Sequence, residues 1–241
     1  MASALTFLAN PARFMALSRW LAPVLGAGAA TAILAGLTLG FMAPDDYQQG
    51  ATVRIMFVHV PAAIMGMAIY ACLAGASFFG LVFRHSLADA AAKAAAPIGT
   101  AFTALALITG SLWGRPMWGT WWVWDARLTS ELVLLLLYLG YLALHAALED
   151  ETKAARAAAI LALVGVVNLP VIHFSVVWWN SLHQGESIFT RGGPKLAAVY
   201  LWPLGLMSLG YALLFGALWL VRTRTEVFKR RAASLALRAA G

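Results

Sequence analysis

Six long apolar stretches constrain this chain more than any other feature of its sequence. They lie at about residues 21–42, 54–83, 96–112, 128–148, 159–180 and 198–221. A helix needs roughly 20 mostly apolar residues to cross the hydrocarbon core of a bilayer, and these stretches approach or exceed that length. Because the chain has only 241 residues, little is left for a soluble domain. The sequence therefore predicts an all-α integral membrane protein, with residues 1–241 forming a single domain of six transmembrane helices.

The composition supports this class and excludes others. Hydrophobic residues make up 62% of the chain and charged residues 11%, which is too apolar for a soluble fold. The net charge of +7 does not indicate a nucleic-acid partner, because the basic residues lie in short runs between the apolar stretches. The only cysteine, Cys72, excludes an intrachain disulfide, a CxxC pair and a CxxCH haem-attachment motif. The expected surroundings are a lipid bilayer.

The distribution of basic residues predicts the orientation. Residues 1–20 contain Pro11 and two arginines and no clear cleavage motif, so we expect a short interfacial segment leading into an uncleaved first helix. With the N-terminus in the cytoplasm, most Lys and Arg residues fall in cytoplasmic segments, including the loops at 84–95 and 149–158 and a basic tail at 222–241. Both termini are therefore expected to be cytoplasmic.

A tryptophan-rich segment lies between the predicted third and fourth helices, on the outer side. It contains half of the chain's ten tryptophans and ends in an acid: Trp113, Trp118, Trp121, Trp122, Trp124 and Asp125. If the middle of the segment is helical, four of these side chains share one face at i, i+3, i+4 and i+7: Trp118, Trp121, Trp122 and Asp125. An interfacial aromatic belt is the alternative. Belts are spread around a protein, however, and a continuous segment favours a platform for a flat aromatic ligand.

Two histidines lie on the same outer side and flank this segment in sequence. His59 is near the outer end of the second stretch, and His183 follows the fifth. Neutral imidazole is a common axial ligand of haem iron, so the pair suggests iron ligation, although for either histidine alone an interfacial hydrogen bond is the favoured explanation. The other histidines are weaker candidates. His85 and His145 fall at cytoplasmic helix ends, and His173 lies about 15 Å deeper than His183.

A haem would also bring two propionates, which require cationic partners. The cations on the outer side are Arg54, Arg115, Arg127, Arg191 and Lys195. Arg54 and Arg127 are the best candidates because each adjoins an element that carries a proposed ligand, whereas headgroup contact is an alternative for the others. Asp125 and Glu131 are expected to orient these arginines or the loop, because no nucleophile or matched second carboxylate accompanies them.

Three segments resemble a known family. The string WGRPMWGTWWVWDARLTSEL at 113–132 resembles the WWD signature of haem-handling proteins. Together with RIMFVHVPAA at 54–63 and VVNLPVIHFSVVWWNSLHQG at 166–185, it makes the chain similar to the CcmC family of cytochrome c maturation proteins over essentially its whole length. The related CcmF and CcsA families share the tryptophan core but continue differently after the aspartate, where this chain has DARLTS.

The resemblance implies a function and a set of partners. It implies a protein of the bacterial inner membrane that is not an enzyme and binds haem b at its periplasmic face. In this family two histidines matching His59 and His183 are the axial ligands, and a segment matching 113–125 is the haem platform. The implied task is presentation of haem to the periplasmic chaperone CcmE, with the ABC-transporter subunits CcmA and CcmB and the small protein CcmD as further partners.

Two other functions remain open. A membrane electron-transfer b-type cytochrome would place paired histidines near both membrane faces, whereas the two best candidates here share one face. A haem permease would line a path through mid-membrane with polar residues. The apolar stretches offer little of that kind beyond His173 and Asn168, so both alternatives are less favoured than haem presentation.

Overall fold

The chain is described by a computed structural model that covers residues 10–179, 181–183, 193 and 196–240. Its backbone is almost entirely helical. The helices are α1 (Pro11–Met42), α2 (Met56–Phe83), α3 (Ser86–Trp118), α4 (Ala126–Ala147), α5 (Glu151–Gly165), α6 (Asn168–Trp178) and α7 (Ala198–Ala240). A 3-10 turn, Ala51–Ile55, leads directly into α2.

Within the described part of the chain, six helical segments are long and apolar enough to cross a membrane, which confirms the predicted fold. The 3-10 turn and α2 form one of them, and α5 and α6 together form another. Six crossings place the two ends of the chain on the same side. We call this side the terminal face; it carries residues 84–85 and 148–150. The opposite side, the loop face, carries residues 43–50, 119–125 and 181–183.

Helix caps extend two helices beyond the predicted bounds. The first begins at Pro11 because the Asn10 side chain accepts a hydrogen bond from Ala12 N at 2.9 Å and proline suits the first helical position. Residues 11–20, expected as an interfacial segment, are therefore helical. The third begins at Ser86, where His85 Nδ1 accepts from Ala88 N at 3.1 Å. The predicted loop at 84–95 is wrong, since only two residues separate α2 from α3.

The fifth crossing is interrupted in its interior, between the end of α5 at Gly165 and the start of α6 at Asn168. Pro170 has no N–H with which to continue the helical bonding pattern. Short-range bonds replace it, from Val167 N to Val164 O at 3.4 Å and from Leu169 N to Val166 O at 3.1 Å. The side chain of Asn168 donates to Ser130 O at 2.9 Å, which ties the break to α4.

The described part of the predicted basic tail, residues 222–240, is a continuation of α7. It is fixed to the start of α3 by two ion pairs, Arg230 with Asp89 at 2.5 Å and Lys93 with Glu226 at 3.3 Å. The tail therefore packs on the terminal face of the helix bundle.

The interior of the bundle is more polar than the sequence suggested. Thr103 and Glu131 are buried between α2, α3 and α4, with 0% and 7% of their surface exposed. The tyrosines at 70, 138 and 141 are also buried. The prediction that the crossings contain little polar material beyond His173 and Asn168 is therefore wrong, because glutamate, threonine and tyrosine are hidden in stretches that are apolar on average.

Candidate ligand site at the loop face

His59 lies in the first turn of α2 and faces α3. Its Nδ1 is 3.0 Å from Ala106 O and 3.2 Å from Thr109 Oγ1. A carbonyl oxygen only accepts, and the Thr109 hydroxyl already donates to Leu105 O at 2.6 Å, so Nδ1 carries the ring proton. This tautomer leaves the Nε2 lone pair for a metal.

His183 is held in the same tautomer by an acid. Its Nδ1 is 3.3 Å from Asp125 Oδ2, which also accepts from Ser181 Oγ at 2.5 Å. The other carboxylate oxygen accepts from Leu128 N at 2.8 Å and caps α4. Because Asp125 is fixed at the start of α4, it holds the His183 ring in one orientation. Nε2 of His183 is then the remaining ligand atom.

The electrostatics of this pair favour a neutral imidazole beside an ionised carboxylate. Burial alone would raise the pKa of Asp125, but hydrogen bonds from Ser181 and Leu128 and attraction to His183 outweigh it, so the pKa lies below its usual value. Burial lowers the pKa of His183, and the Asp125 carboxylate offsets part of that effect. His183 is thus an unprotonated potential ligand at neutral pH.

Two tryptophans contact the two histidines. The Trp113 ring meets His59 edge to face at a centroid distance of 5.7 Å, and its Nε1 donates to Gln49 Oε1 at 3.0 Å. The Trp118 ring meets His183 in the same manner at 4.8 Å. Both tryptophans lie within the last two turns of α3, so the two histidine rings pack against the same end of that helix.

Glycines on α3 make room for these rings. A Cβ at Gly110 would lie 2.9 Å from His59 Cε1, and a Cβ at Gly114 would lie 3.0 Å from Trp118 Cε3. Both distances are too short for a side chain without displacement of the ring. Gly110 and the acceptors of His59 were not predicted, although the i, i+4 spacing of Gly110 and Gly114 on either side of Trp113 was a visible signal.

The predicted helical face of the tryptophan segment is wrong. The helix ends at Trp118, where Gly119 adopts a left-handed φ of 74° and donates its N–H to Arg115 O at 3.1 Å. Residues 119–125 are irregular. Trp121 and Asp125 therefore do not share a helix face with Trp118.

The remaining tryptophans form the exposed rim of the site. Trp121 and Trp124 are 56% and 75% exposed. Trp122 packs edge to face against Trp124 at 5.4 Å, and its Nε1 is buried without a hydrogen-bond partner among the described residues. The Arg115 guanidinium lies 6.0 Å from the Trp121 ring centre.

The two favoured arginines have different surroundings. Arg127 donates to Ile172 O at 2.8 Å, which ties α4 to α6, and its charge acts on both His59 and His183. Arg54 is ion-paired with Asp45 at 2.8 Å. It therefore ties the 3-10 turn to the loop whose Gln49 holds Trp113.

The other predicted polar residues are placed as follows. Asp125 orients the loop and His183. Glu131 faces Gly66 of α2, with Oε1 3.5 Å from the position of a Cβ there. Arg191 and Lys195 lie outside the described residues.

Fold and site together define a class, that of polytopic membrane proteins with an aromatic, two-histidine site at one face. The family model described as "Heme exporter protein C" matches residues 4–238. The chain belongs to this family, CcmC.

Three relatives match this chain over most of its length. The heme exporter protein C of Bradyrhizobium diazoefficiens is 56% identical over 228 residues, covering 95% of this chain and 87% of the relative. That of Paracoccus denitrificans is 50% identical over 231 residues, covering 95% and 96%. That of Escherichia coli K12 is 51% identical over 228 residues, covering 93% and 92%.

Proposed function

We propose that this protein binds haem b at its loop face and presents it to the haem chaperone CcmE during maturation of c-type cytochromes. The observation that carries the proposal is that two histidines in one site have the same tautomer and the same kind of tryptophan contact. Each has Nδ1 fixed by an acceptor, a tryptophan edge against its ring and Nε2 left as a ligand atom. The relatives named heme exporter protein C support haem as the cargo.

The donor set fits haem better than a bare metal ion. No group of three or more His, Cys, Asp and Glu side chains among the described residues is arranged to hold a metal. Two imidazoles suffice for an iron whose other four ligands come from a porphyrin. His59 and His183 are accordingly proposed as the axial ligands.

Neighbouring side chains suit the apolar ring and the propionates of a haem. Trp113 and Trp118 give apolar surface beside the histidines. Arg127, Arg54 and the unpaired Trp122 N–H are donors suited to the propionates. The exposed rings of Trp121 and Trp124 give a surface on which a chaperone can dock.

We further propose that the loop face is periplasmic and that both termini lie in the cytoplasm beside the bacterial inner membrane. The basic residues concentrated on the terminal face support this orientation. The sequence has no phosphate-binding glycine loop, so energy for the cycle would come from the ABC-transporter subunits CcmA and CcmB, with CcmD as a further partner. The protein would position haem, while bond formation belongs to a histidine of the chaperone.

An electron-transfer cytochrome is supported less well. It would require a second histidine pair near the terminal face. There, His85 uses Nδ1 to cap α3, and His145 packs against Tyr141 with ring centres 5.1 Å apart.

Removing the two exposed tryptophans is expected to separate haem binding from haem transfer. The Trp121→Ala/Trp124→Ala variant should keep most of its haem, because neither ring contacts His59 or His183, but should transfer several-fold less to the chaperone. Co-purification with the chaperone, followed by measurement of covalent haem on it, tests this. Trp202→Ala, which removes an equally exposed ring on α7, is the matched control and should transfer normally. Normal transfer by the double variant would contradict the docking role.

Replacing Asp125 with asparagine is expected to weaken haem binding by about 10- to 100-fold, the usual effect of removing a carboxylate that orients a ligating histidine. It should also change the pH profile. Asp125 raises the pKa of His183 against the effect of burial, so without the carboxylate His183 protonates only at lower pH. The apparent haem affinity, relative to its value at neutral pH, should therefore begin to fall at lower pH in the variant. Haem titration across pH measures both effects. If the affinity began to fall at the same pH in the wild type and the variant, the assignment of His183 as a ligand would be contradicted.

A further inference from the structure

A stripe of buried polar side chains runs from the haem site towards the terminal face, between α2, α3 and α4. Its members are at most 7% exposed: Thr103, Glu131, Tyr138, Tyr70, Tyr141 and Ser77. On α4 the members at 131, 138 and 141 share one face with His145, because successive spacings of seven, three and four residues keep all four within about a quarter-turn of one another. The stripe is therefore a continuous feature of the bundle.

The outer part of the stripe is built around Gly66. A Cβ there would lie 2.8 Å from Thr103 Oγ1 and 3.5 Å from Glu131 Oε1, so the hydroxyl and the carboxyl both face this glycine. Tyr138 donates to Gly66 O at 2.8 Å. Three polar groups from two helices thus converge on one point of α2.

The inner part continues through aromatic hydroxyls. The Tyr70 and Tyr138 rings meet edge to face at 5.0 Å, and Tyr141 and His145 lie 5.1 Å apart. Tyr70 OH lies against Gly165 of α5, 2.1 Å from where a Cβ would be. His145 brings the stripe to the terminal end of α4.

Several atoms of the stripe have no hydrogen-bond partner among the described residues. They are Glu131 Oε1, Thr103 Oγ1, Tyr70 OH and His145 Nε2. Unsatisfied polar atoms cost several kcal/mol each in the membrane interior and mark functional positions there. Side chains pack too closely around Tyr138 for haem to pass, since a Cβ at Gly99 would lie 2.1 Å from its ring. Water is small enough to satisfy such atoms, and buried waters typically bind two to four polar groups.

We propose that this stripe is a hydrated polar column in which bound water lets the Glu131 carboxyl exchange its proton with solvent at the terminal face. The first water site is formed by Glu131 and Thr103, and the column continues past Tyr138 and Tyr70 to His145. The only ionic neighbour on the same face of α4 is Arg127, one turn towards the loop face. The column is independent of haem and of its transfer.

Radiolytic footprinting of the intact wild-type protein in nanodiscs tests the water. Hydroxyl radicals generated by X-rays modify rings next to bound water, and mass spectrometry gives the rate for each tyrosine. Tyr211 of α7 is the internal control. It packs against Phe102 of α3 and is more exposed than Tyr70 or Tyr138. The proposal predicts that Tyr70 and Tyr138 react several-fold faster than Tyr211. Rates that follow exposure, with Tyr211 fastest, would overturn it.

Infrared spectroscopy tests the proton. The difference spectrum between wild type and Glu131→Gln, which has nearly the same shape, isolates the carboxyl C=O band of Glu131. On transfer to D₂O this band should shift within minutes, while buried backbone amides of α2 remain protonated. A missing band, or one that does not shift before those amides exchange, would overturn the proton-exchange assignment.

Discussion

The His59→Ala and His183→Ala variants are each expected to lose most of the haem that the wild-type protein retains through purification. Each substitution removes one of two imidazoles whose tautomer is fixed for ligation through Nε2. A tenfold loss of affinity corresponds to about 1.4 kcal/mol, and loss of an axial ligand should exceed it. Haem per protein and the absorption spectrum give the result, and each variant should also lose the spectrum of a six-coordinate, two-histidine iron.

The matched control is His173→Ala, which removes an exposed imidazole from α6 on the same crossing that precedes His183. Its haem content and spectrum should equal those of the wild type. Thermal unfolding of each apoprotein separates ligand loss from misfolding, since neither axial variant should unfold much earlier than the control. Unchanged haem content and spectrum in both axial variants would show that these histidines are not the ligands.

Much of the fold follows from sequence because crossing a bilayer demands a long apolar segment. That requirement sets the number of helices and, through the parity of crossings, brings His59 and His183 to one face. Helix ends depend on single capping residues instead. Asn10 and His85 each extended a helix into a segment expected to be a loop or an interfacial stretch. Composition averaged over a window does not detect such caps.

The details of the site depend on the tertiary fold. Gly119 ends α3 in a left-handed conformation, so the regular spacing of the tryptophans does not become a helical face. The orienting role of Asp125 depends on a contact with a residue 58 positions away. Thr103 was overlooked and Glu131 was expected to orient an arginine or the loop, because only packing shows that the two side chains meet at Gly66.

Replacing Gly99 with alanine is expected to have the largest effect on stability. The new Cβ would lie 2.1 Å from Tyr138 Cζ and 2.2 Å from its hydroxyl oxygen. Tyr138 is fully buried and donates to Gly66 O, so its ring yields only by breaking that bond. Overpacking typically costs about 1–3 kcal/mol, and a lost buried hydrogen bond adds about 1 kcal/mol. The thermal midpoint of the detergent-solubilised protein should fall clearly.

Gly75→Ala in α2 is the matched control, because no atom lies within 4 Å of a Cβ at that position. Alanine also favours a helix over glycine by about 1 kcal/mol, so this control should unfold at the wild-type temperature or above. The contact between Gly99 and Tyr138 joins α3, which supplies the acceptors of His59, to α4, which begins at the Asp125 that orients His183. Gly99→Ala should therefore weaken haem binding as well as stability. Equal thermal midpoints for the two alanine variants would mean that α3 and α4 can separate without loss of stability. The contact between Gly99 and Tyr138 would then not be what fixes the two histidines relative to each other.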